Sequence, residues 1–267
     1  MLPESVRNII ESCHHVDEFS DARSNLQRHL GKLELLEVLE AGSGAKSNLN
    51  FNDCTVTGID ISPHQLARNS CLQERVCADL HTYENEAWTH RFDLIICWDV
   101  LEHLKSPRRA IEKFSDWIKT DGGRLVIVFP NSQSLKGNVT KHSPHYFHRL
   151  FYKITLGTPM RAARDDRGAF KTFFARDTDL CEVIRLLELN SFKVTLLLSF
   201  ESFQNKWIKR YVPAALINKL NKMFLGPLKN SLDTSATDFI LVASCTHSMQ
   251  PRVEHGWAKV DQVAGSR

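Results

Sequence analysis

The sequence lacks the marks of several protein classes. No apolar run approaches the ~20 residues of a membrane-spanning helix, and the first seven residues, Met-Leu-Pro-Glu-Ser-Val-Arg, lack the apolar core of a signal peptide. Neither sign of charge dominates, because 34 Lys and Arg stand against 31 Asp and Glu for a net charge of +3. That balance does not favour nucleic acid as a partner. We therefore expect a cytoplasmic protein with no nucleic-acid partner and no stable membrane insertion.

The cysteines show no metal-binding or disulfide pattern. There are seven, an odd number, with no CxxC pair and no Cys/His zinc spacing. Their scatter through apparent strands and helices indicates reduced, intracellular thiols. His145 and His148 would share one helical face, but they have no carboxylate partners nearby in the sequence. We predict no metal site, and we find no internal repeat.

Strand and helix patterns alternate over about 100 residues from Leu35 onward. Because this alternation is typical of a parallel sheet with helices on both faces, the predicted fold is α/β and doubly wound. Apolar runs indicate strands at 35–39, 55–59, 76–78, 92–97, 125–129, 193–200 and 238–245. Helical spacing and N-cap residues indicate helices at 47–51, 62–71, 106–118 and 180–189.

Four other segments complete the predicted organisation. Residues 1–34 read as two short helices that form an N-terminal helical cap on a domain spanning 35–246. Residues 132–172 and 201–233 are too long for ordinary connections and are predicted to be helical lid insertions. The polar tail, 247–267, is expected to be flexible. The basic and apolar residues of 203–228 are compatible with a lid helix or with peripheral contact to anionic lipid.

The segment from Leu35 to Asp60 contains a strand, a glycine turn at Gly42-Ser43-Gly44 and a second strand that ends on an acid. Glycines allow a ligand to approach the backbone closely, and a carboxylate at the tip of the next strand can accept hydrogen bonds from two ribose hydroxyls. The spacing therefore predicts a nucleoside cofactor site.

Several motifs resemble those of class I S-adenosylmethionine-dependent methyltransferases, in particular the methyltransferase type 11/UbiE–UbiG-like group. They are VLEAGSG at 38–44, GIDIS at 58–62, FDLIICWDVLEHL at 92–104 and DGGRL at 121–125. Lys46 stands where the first motif often has a third glycine, and its side chain can point outward. The resemblance implies a Rossmann-like sheet of seven strands, mostly parallel, with an antiparallel last strand.

The resemblance also implies S-adenosylmethionine as the cofactor. Asp60 would bind the ribose, Glu40 would lie near the methionine end, and Asp79 would accept a hydrogen bond from the adenine amine. The full set of cofactor contacts that it implies is Glu40, Gly42, Ser43, Gly44, Asp60, Ile61, Asp79, Leu80, Trp98 and Asp99.

The expected activity is methyl transfer to oxygen or nitrogen of a small hydrophobic or aromatic acceptor of the secondary-metabolite type. A general base, if one is used, would be His103 or His145. Two alternatives stay open: the fold binds S-adenosylmethionine for a cyclisation or rearrangement, or it is a non-catalytic partner of another enzyme. A nicotinamide-dependent oxidoreductase would share the glycine turn, but Asp79 and the 98–103 segment argue against it. We expect the protein to be either a monomer or a homodimer.

Overall fold

An eight-stranded sheet forms the centre of the computed structural model, which describes residues 2–132, 134, 178–202, 206, 210 and 236–246. The strand order is β1-β7-β8-β6-β5-β2-β3-β4. The strands are β1 His14–Val16, β2 Glu37–Ala41, β3 Thr55–Asp60, β4 Glu74–Cys77, β5 Leu94–Trp98, β6 Arg124–Pro130, β7 Phe192–Phe200 and β8 Asp238–Cys245. All neighbours are parallel except β8, which is antiparallel to both β6 and β7. The predicted doubly wound fold and the antiparallel last strand are confirmed.

The sheet has one strand more than the predicted seven. The extra strand is β1, which lies between the two predicted N-terminal helices and pairs in parallel with the end of β7, with Val16 opposite Phe200. A strand of three residues, two of them exposed histidines, is too short to show the two-residue period by which strands are recognised.

Strand β7 is continuously buried only in its second half. Residues 197–200 are buried, whereas Lys193 and Thr195 are exposed. Because β1 pairs with β7 only from Leu198 to Phe200, the first half of β7 remains an edge of the sheet. The central strands β5 and β6 read as continuous apolar runs because helices cover both of their faces.

Helices flank the sheet on two sides, each with its own hydrophobic cluster. They are α1 Glu4–Glu11, α2 Phe19–Leu30, α3 Pro63–Arg68, α4 Pro107–Trp117 and α5 Leu180–Leu189. Buried residues of α1, α4 and α5 belong to one cluster, and those of α2 and α3 belong to the other. Strand residues alternate between the two clusters, so that Leu39 faces one and Val38 the other.

The prediction of a helix at 47–51 was wrong. The whole connection from β2 to β3 consists of turns and bends, although its Leu49 is buried in the second cluster. Serine and asparagine side chains compete for backbone hydrogen bonds and favour turns, and the connection contains Ser47, Asn48, Asn50 and Asn52. The glycine turn is therefore not followed by a helix N-terminus.

Most of the predicted insertions and all of the tail lie outside the described residues. Of the two insertions, only residues 132, 134, 201, 202, 206 and 210 are described. Among the helices of the described part of the chain, none combines the length and apolar character that crossing a membrane requires.

Candidate active site

The carboxyl ends of the parallel strands bring the predicted cofactor residues to one edge of the sheet. Strands β2 and β3 pair in register, with Ala41 opposite Ile59, and β5 lies on the other side of β2. Glu40, Asp60 and Asp99 thus lie at or next to the ends of three neighbouring strands, and Asp79 follows β4. Open α/β sheets bind ligands at this edge.

The glycine turn at this edge is tightly closed on one side and open on the other. Gly42 has φ +73, and a Cβ there would lie 2.2 Å from Cγ2 of Val100. Gly44 has φ +55, and no atom of the described residues lies within 4 Å of the position its Cβ would occupy. The backbone N–H of Gly42 donates to the carbonyl of Ile59 at 2.8 Å. The open space beside Gly44 is the room that a ligand on this turn requires.

Asp60 ties the glycine turn to the start of α3. Its Oδ2 accepts the backbone N–H of Gly44 at 2.9 Å, and its Oδ1 accepts that of Ser62 at 2.8 Å. A carboxylate oxygen can accept a further hydrogen bond through its second lone pair, so Asp60 retains acceptor capacity for ribose hydroxyls. Ser62 in turn caps α3, its Oγ accepting the N–H of Gln65.

Glu40 is a buried carboxylate near the end of β2, just before the glycine turn. Its Oε2 accepts hydrogen bonds from Oγ of Ser47 at 2.6 Å and from Nδ2 of Asn69 at 3.4 Å. Burial raises the pKa of Glu40 from 4.5 to about 6, and these two hydrogen bonds oppose that rise. Asn69, which is fully buried, also donates to the carbonyl oxygen of Ser43 at 3.2 Å. Asn69 therefore connects Glu40 to the glycine turn.

Asp79 is held by His81, two residues further along the chain. Its Oδ1 accepts the backbone N–H of His81 at 2.8 Å and lies 3.1 Å from Nδ1 of the same residue. Nε2 of His81 accepts the backbone N–H of Ser106, which leaves Nδ1 as the protonated nitrogen that donates to Asp79. The backbone hydrogen bond is the main reason why the pKa of Asp79 is lowered. Asp79 is thus an ionised acceptor at neutral pH.

The segment after β5 begins with a residue in a left-handed backbone conformation. Asp99 has φ +53, a left-handed conformation that few non-glycine residues adopt. The short 3₁₀ turn Leu101–His103 follows. Nε2 of His103 lies 3.9 Å from Oε1 of Glu102, whose side chain is buried.

Three aromatic side chains converge at the same edge beyond Asp99. Phe19 lies edge-on to Trp98, with ring centroids 6.0 Å apart, and against Phe200 at 5.5 Å. Trp98 ends β5, Phe200 ends β7, and Phe19 begins α2 immediately after β1. We call these three residues the aromatic wall. Phe19 keeps 40% of its surface exposed, so the aromatic wall presents an apolar face to its surroundings.

Several buried polar residues lie beside the aromatic wall, at the ends of the neighbouring strands β6, β7 and β8. Nδ2 of Asn131 donates to the carbonyl of Ala236. Oγ1 of Thr237 donates to Oδ2 of Asp238 at 2.6 Å and accepts the backbone N–H of Ser202. These residues join the ends of both insertions to the sheet.

The other predicted site residues take varied positions. Ile61 is 65% exposed, whereas Leu80 is buried in the first cluster. Ser43 is buried, and its Oγ has no hydrogen-bond partner among the described residues. Lys46 is exposed, in agreement with a side chain that points outward. His145 lies outside the described residues.

Sequence reasoning missed several residues that organise this edge. Asn69, His81 and Lys113 have no motif that marks them, because each acts through contacts with distant segments. The apolar pattern of α2 includes Phe19 but cannot show that its ring meets Trp98.

The described residues fit the nucleoside cofactor that the motifs imply. Asp60 and Glu40 lie beside the glycine turn, and Asp79 follows β4 at the same edge of the sheet. Hydroxyl, amine and ammonium groups are the donors that carboxylates bind. Across the described ranges, no three His, Cys, Asp or Glu side chains are grouped so that they could hold a metal ion.

Comparison with known proteins supports the same interpretation. A family model for the methyltransferase domain matches residues 13–190, more than half of the chain. Ubiquinone biosynthesis O-methyltransferase of Coxiella burnetii is 33% identical over 98 residues, which cover 33% of this chain and 41% of that protein. (S)-coclaurine N-methyltransferase of Papaver somniferum is 32% identical over 80 residues, covering 27% of this chain and 22% of that protein. The matches thus span less than half the length of either enzyme.

Solved structures resemble this chain over most of its length. The methyltransferase in a Haloferax volcanii complex with the activator Trm112 has a TM-score of 0.53 and 11% identity, over 92% of this chain and 95% of that chain. A protein of Listeria monocytogenes assigned to the S-adenosylmethionine-dependent methyltransferases has a TM-score of 0.52 and 12% identity, over 86% of this chain and 100% of that chain. At such identities the likeness concerns the fold. Taken together with the match to the family model, it shows that the chain belongs to the class I S-adenosylmethionine-dependent methyltransferases.

Proposed function

We propose that this protein transfers a methyl group from S-adenosylmethionine to an oxygen or nitrogen atom of a small hydrophobic or aromatic acceptor. We infer this class of acceptor from the aromatic wall of Phe19, Trp98 and Phe200. Aromatic rings favour edge-to-face and tilted contacts with other rings. An aromatic acceptor would extend this arrangement at the exposed part of Phe19.

Residues of the chain divide the work between cofactor and acceptor. Asp60 would hold the ribose hydroxyls, Asp79 the adenine amine and Glu40 the methionine amino group. The sulfonium of S-adenosylmethionine supplies an electrophilic methyl group. The protein therefore has to orient the acceptor atom and exclude water, and this positioning supplies most of the rate enhancement.

A proton is released when the acceptor is a hydroxyl or an ammonium group. Among the described residues, His103 is the candidate to take it, because an imidazole can accept a proton at neutral pH. Oε1 of Glu102 at 3.9 Å would stabilise the imidazolium that forms. The relatives support both acceptor atoms, since one is an O-methyltransferase and another an N-methyltransferase by name.

The first test concerns the cofactor. Wild-type protein should bind S-adenosylhomocysteine in a calorimetric titration, and Asp60→Ala should weaken the binding at least ~tenfold, the equivalent of one strong hydrogen bond. Asp121→Ala is the matched control, because Asp121 is exposed in the turn before β6 at the opposite edge of the sheet. Binding by Asp60→Ala as tight as that of wild type would contradict the site.

The second test concerns the acceptor. Phenol, catechol and an aromatic amine are compared with cyclohexanol and cyclohexylamine, and released S-adenosylhomocysteine is measured by mass spectrometry. We expect turnover with an aromatic acceptor, and Phe19→Ala should raise its KM ~tenfold with little change in kcat. Leu189→Ala removes another exposed apolar side chain, on α5, and should leave KM unchanged.

Three results would contradict the proposal. Cofactor binding without release of S-adenosylhomocysteine from any acceptor would favour a non-methylating role. A preference for the saturated acceptors would overturn the acceptor class. An unchanged KM in Phe19→Ala would remove the aromatic wall from the acceptor site.

A further inference from the structure

Asn69 occupies a central position between the glycine turn and the buried Glu40. It lies immediately after α3, as the C-cap residue of that helix, and is fully buried. Its Nδ2 donates to Oε2 of Glu40 at 3.4 Å and to the carbonyl of Ser43 at 3.2 Å. Its Oδ1 accepts the backbone N–H of Cys71 at 3.1 Å.

The orientation of the Asn69 amide follows from these partners. A carboxylate and a carbonyl can only accept, so the atom that faces Glu40 and Ser43 has to be the NH₂ group. A backbone N–H can only donate, so the atom that faces Cys71 has to be the oxygen. Arg75 fixes the backbone of the same segment, because its guanidinium donates to the carbonyls of Leu66 and Asn69 at 3.0 and 2.8 Å.

The glycine turn needs such an attachment because no helix follows it. In the described structure, residues 42–54 form turns and bends, so no regular helical hydrogen-bond pattern holds the turn in place. Two side chains from other segments hold it instead. Asp60 accepts the N–H of Gly44, and Asn69 donates to the carbonyl of Ser43.

We propose that Asn69 is a positioning residue for S-adenosylmethionine, acting by holding both the carbonyl of Ser43 and the carboxylate of Glu40 in place. Asn69 acts through these two residues. The inference concerns the cofactor only and does not depend on which acceptor is methylated.

Asn69→Asp is the sharpest variant, because it replaces the donor with an acceptor of the same shape. When ionised, the new carboxylate faces two acceptors, Glu40 and the carbonyl of Ser43. When protonated, the carboxylic acid can again donate, and two carboxyl groups this close can share one proton. The charged groups on the neighbouring elements are Glu40 on β2, Asp60 at the end of β3 and Arg75 on β4.

The experiment is calorimetric binding of S-adenosylhomocysteine by wild type and Asn69→Asp between pH 5.5 and pH 8. We expect the ratio of the two dissociation constants to be ~30 at pH 8, as for the loss of a charge-assisted hydrogen bond, and to fall severalfold at pH 5.5. Asn69→Leu lacks the donor at every pH, so its ratio to wild type should stay high throughout.

The matched control is Asn190→Asp. Asn190 is also the C-cap residue of a helix, and its Nδ2 also donates to a carbonyl, that of Leu186 at 2.8 Å. It precedes β7, away from the glycine turn, so its substitution should change thermal stability without changing the affinity for S-adenosylhomocysteine. Should Asn69→Asp fail to fold, Asn69→Ala removes both donated hydrogen bonds without adding a charge and should weaken binding severalfold at both ends of the pH range.

Wild-type affinity of Asn69→Asp at pH 8, or a ratio that does not change with pH, would overturn the proposal. Wild-type affinity of Asn69→Ala would overturn it as well. Failure of the wild-type protein to bind S-adenosylhomocysteine would instead contradict the cofactor site itself, so the two failures are distinguishable.

Discussion

Glu40 is a residue whose protonation affects folding. Its carboxylate is buried beside the glycine turn, and burial raises its pKa from 4.5 to about 6. Between these two values the folded protein binds more protons than the unfolded chain. The free energy of unfolding therefore falls as pH rises through this window, and the stabilisation is fully present only below the lower value.

Replacing Glu40 with glutamine should remove this dependence. A pKa rise from 4.5 to about 6 corresponds to ~2 kcal/mol. The unfolding free energy of wild type relative to Glu40→Gln should therefore decrease by about 2 kcal/mol between pH 4 and pH 7, measured by urea denaturation of the ligand-free proteins. A difference that stays constant over this range would show that Glu40 has an ordinary pKa.

Gly42 is constrained in two separate ways, by its backbone and by its neighbour. Its φ of +73 disfavours any side chain, and Val100 occupies the space where a Cβ would lie. Gly42→Ala should lower the unfolding free energy by ~2–4 kcal/mol, because the new methyl group both strains the left-handed backbone and overlaps with Val100. Binding of S-adenosylhomocysteine should weaken with it, because Val100 and the turn have to move apart.

Gly122 provides a control with nearly the same backbone conformation. Its φ is +72, and within the part of the chain that the structure describes nothing lies within 4 Å of the position its Cβ would occupy. Gly122→Ala should therefore cost only the backbone part, ~1 kcal/mol, and leave cofactor binding intact. Adding Val100→Ala to Gly42→Ala should restore part of the loss. Equal destabilisation in Gly42→Ala and Gly122→Ala would mean that Val100 is not a constraint.

At the scale of elements, Lys113 on α4 makes several polar contacts with the connection after β4. Nζ of Lys113 donates to the carbonyls of His81 and Tyr83 at 3.1 and 2.5 Å and pairs with Glu84 at 2.8 Å. This connection carries Asp79, the predicted adenine contact. The ammonium group of Lys113 thus helps to position the turn of Asp79, together with the hydrogen bond from the backbone N–H of Ser106 to His81.

Lys113→Met should loosen that turn while keeping the aliphatic part of the side chain. Two carbonyls lose their donor, so we expect a loss of ~1–3 kcal/mol in unfolding free energy and a severalfold weaker affinity for S-adenosylhomocysteine. Lys119→Met is the control: Lys119 pairs with Asp93 at 2.8 Å but is 40% exposed, and such pairs contribute little. If both variants bind S-adenosylhomocysteine like wild type, the turn does not depend on Lys113.

The accuracy of the sequence predictions differed between elements for physical reasons. The bounds of α5 and β8 agree with the prediction, because α5 has a clear apolar face and β8 is an apolar run buried over most of its length. The β2–β3 connection was predicted as a helix from a few residues, and its asparagines and serine favour turns instead. Strand β1 was missed because three residues carry no period.

At the scale of the whole molecule, the sheet separates two tasks along one edge. Strands β2 to β5 bring together Glu40, Asp60, Asp79 and Asp99, which are the predicted cofactor side. Strands β5, β7 and β1 bring together the aromatic wall. Trp98, at the end of β5, belongs to both halves. This placement follows from a strand order in which β6 and β8 lie between the cofactor strands β2 to β5 and strand β7.

The sequence by itself determined the fold class, the family and the positions of the glycine turn and of the acids at the strand ends. These are local patterns, in which buried strands read as apolar runs and turns as glycines. Only the tertiary structure decided that Asn69 joins Glu40 to Ser43. It also decided that the ring of Phe19, which follows β1, contacts the rings of Trp98 and Phe200. Those contacts join residues 26 to 181 positions apart or depend on an edge strand of three residues, and no local spacing encodes them.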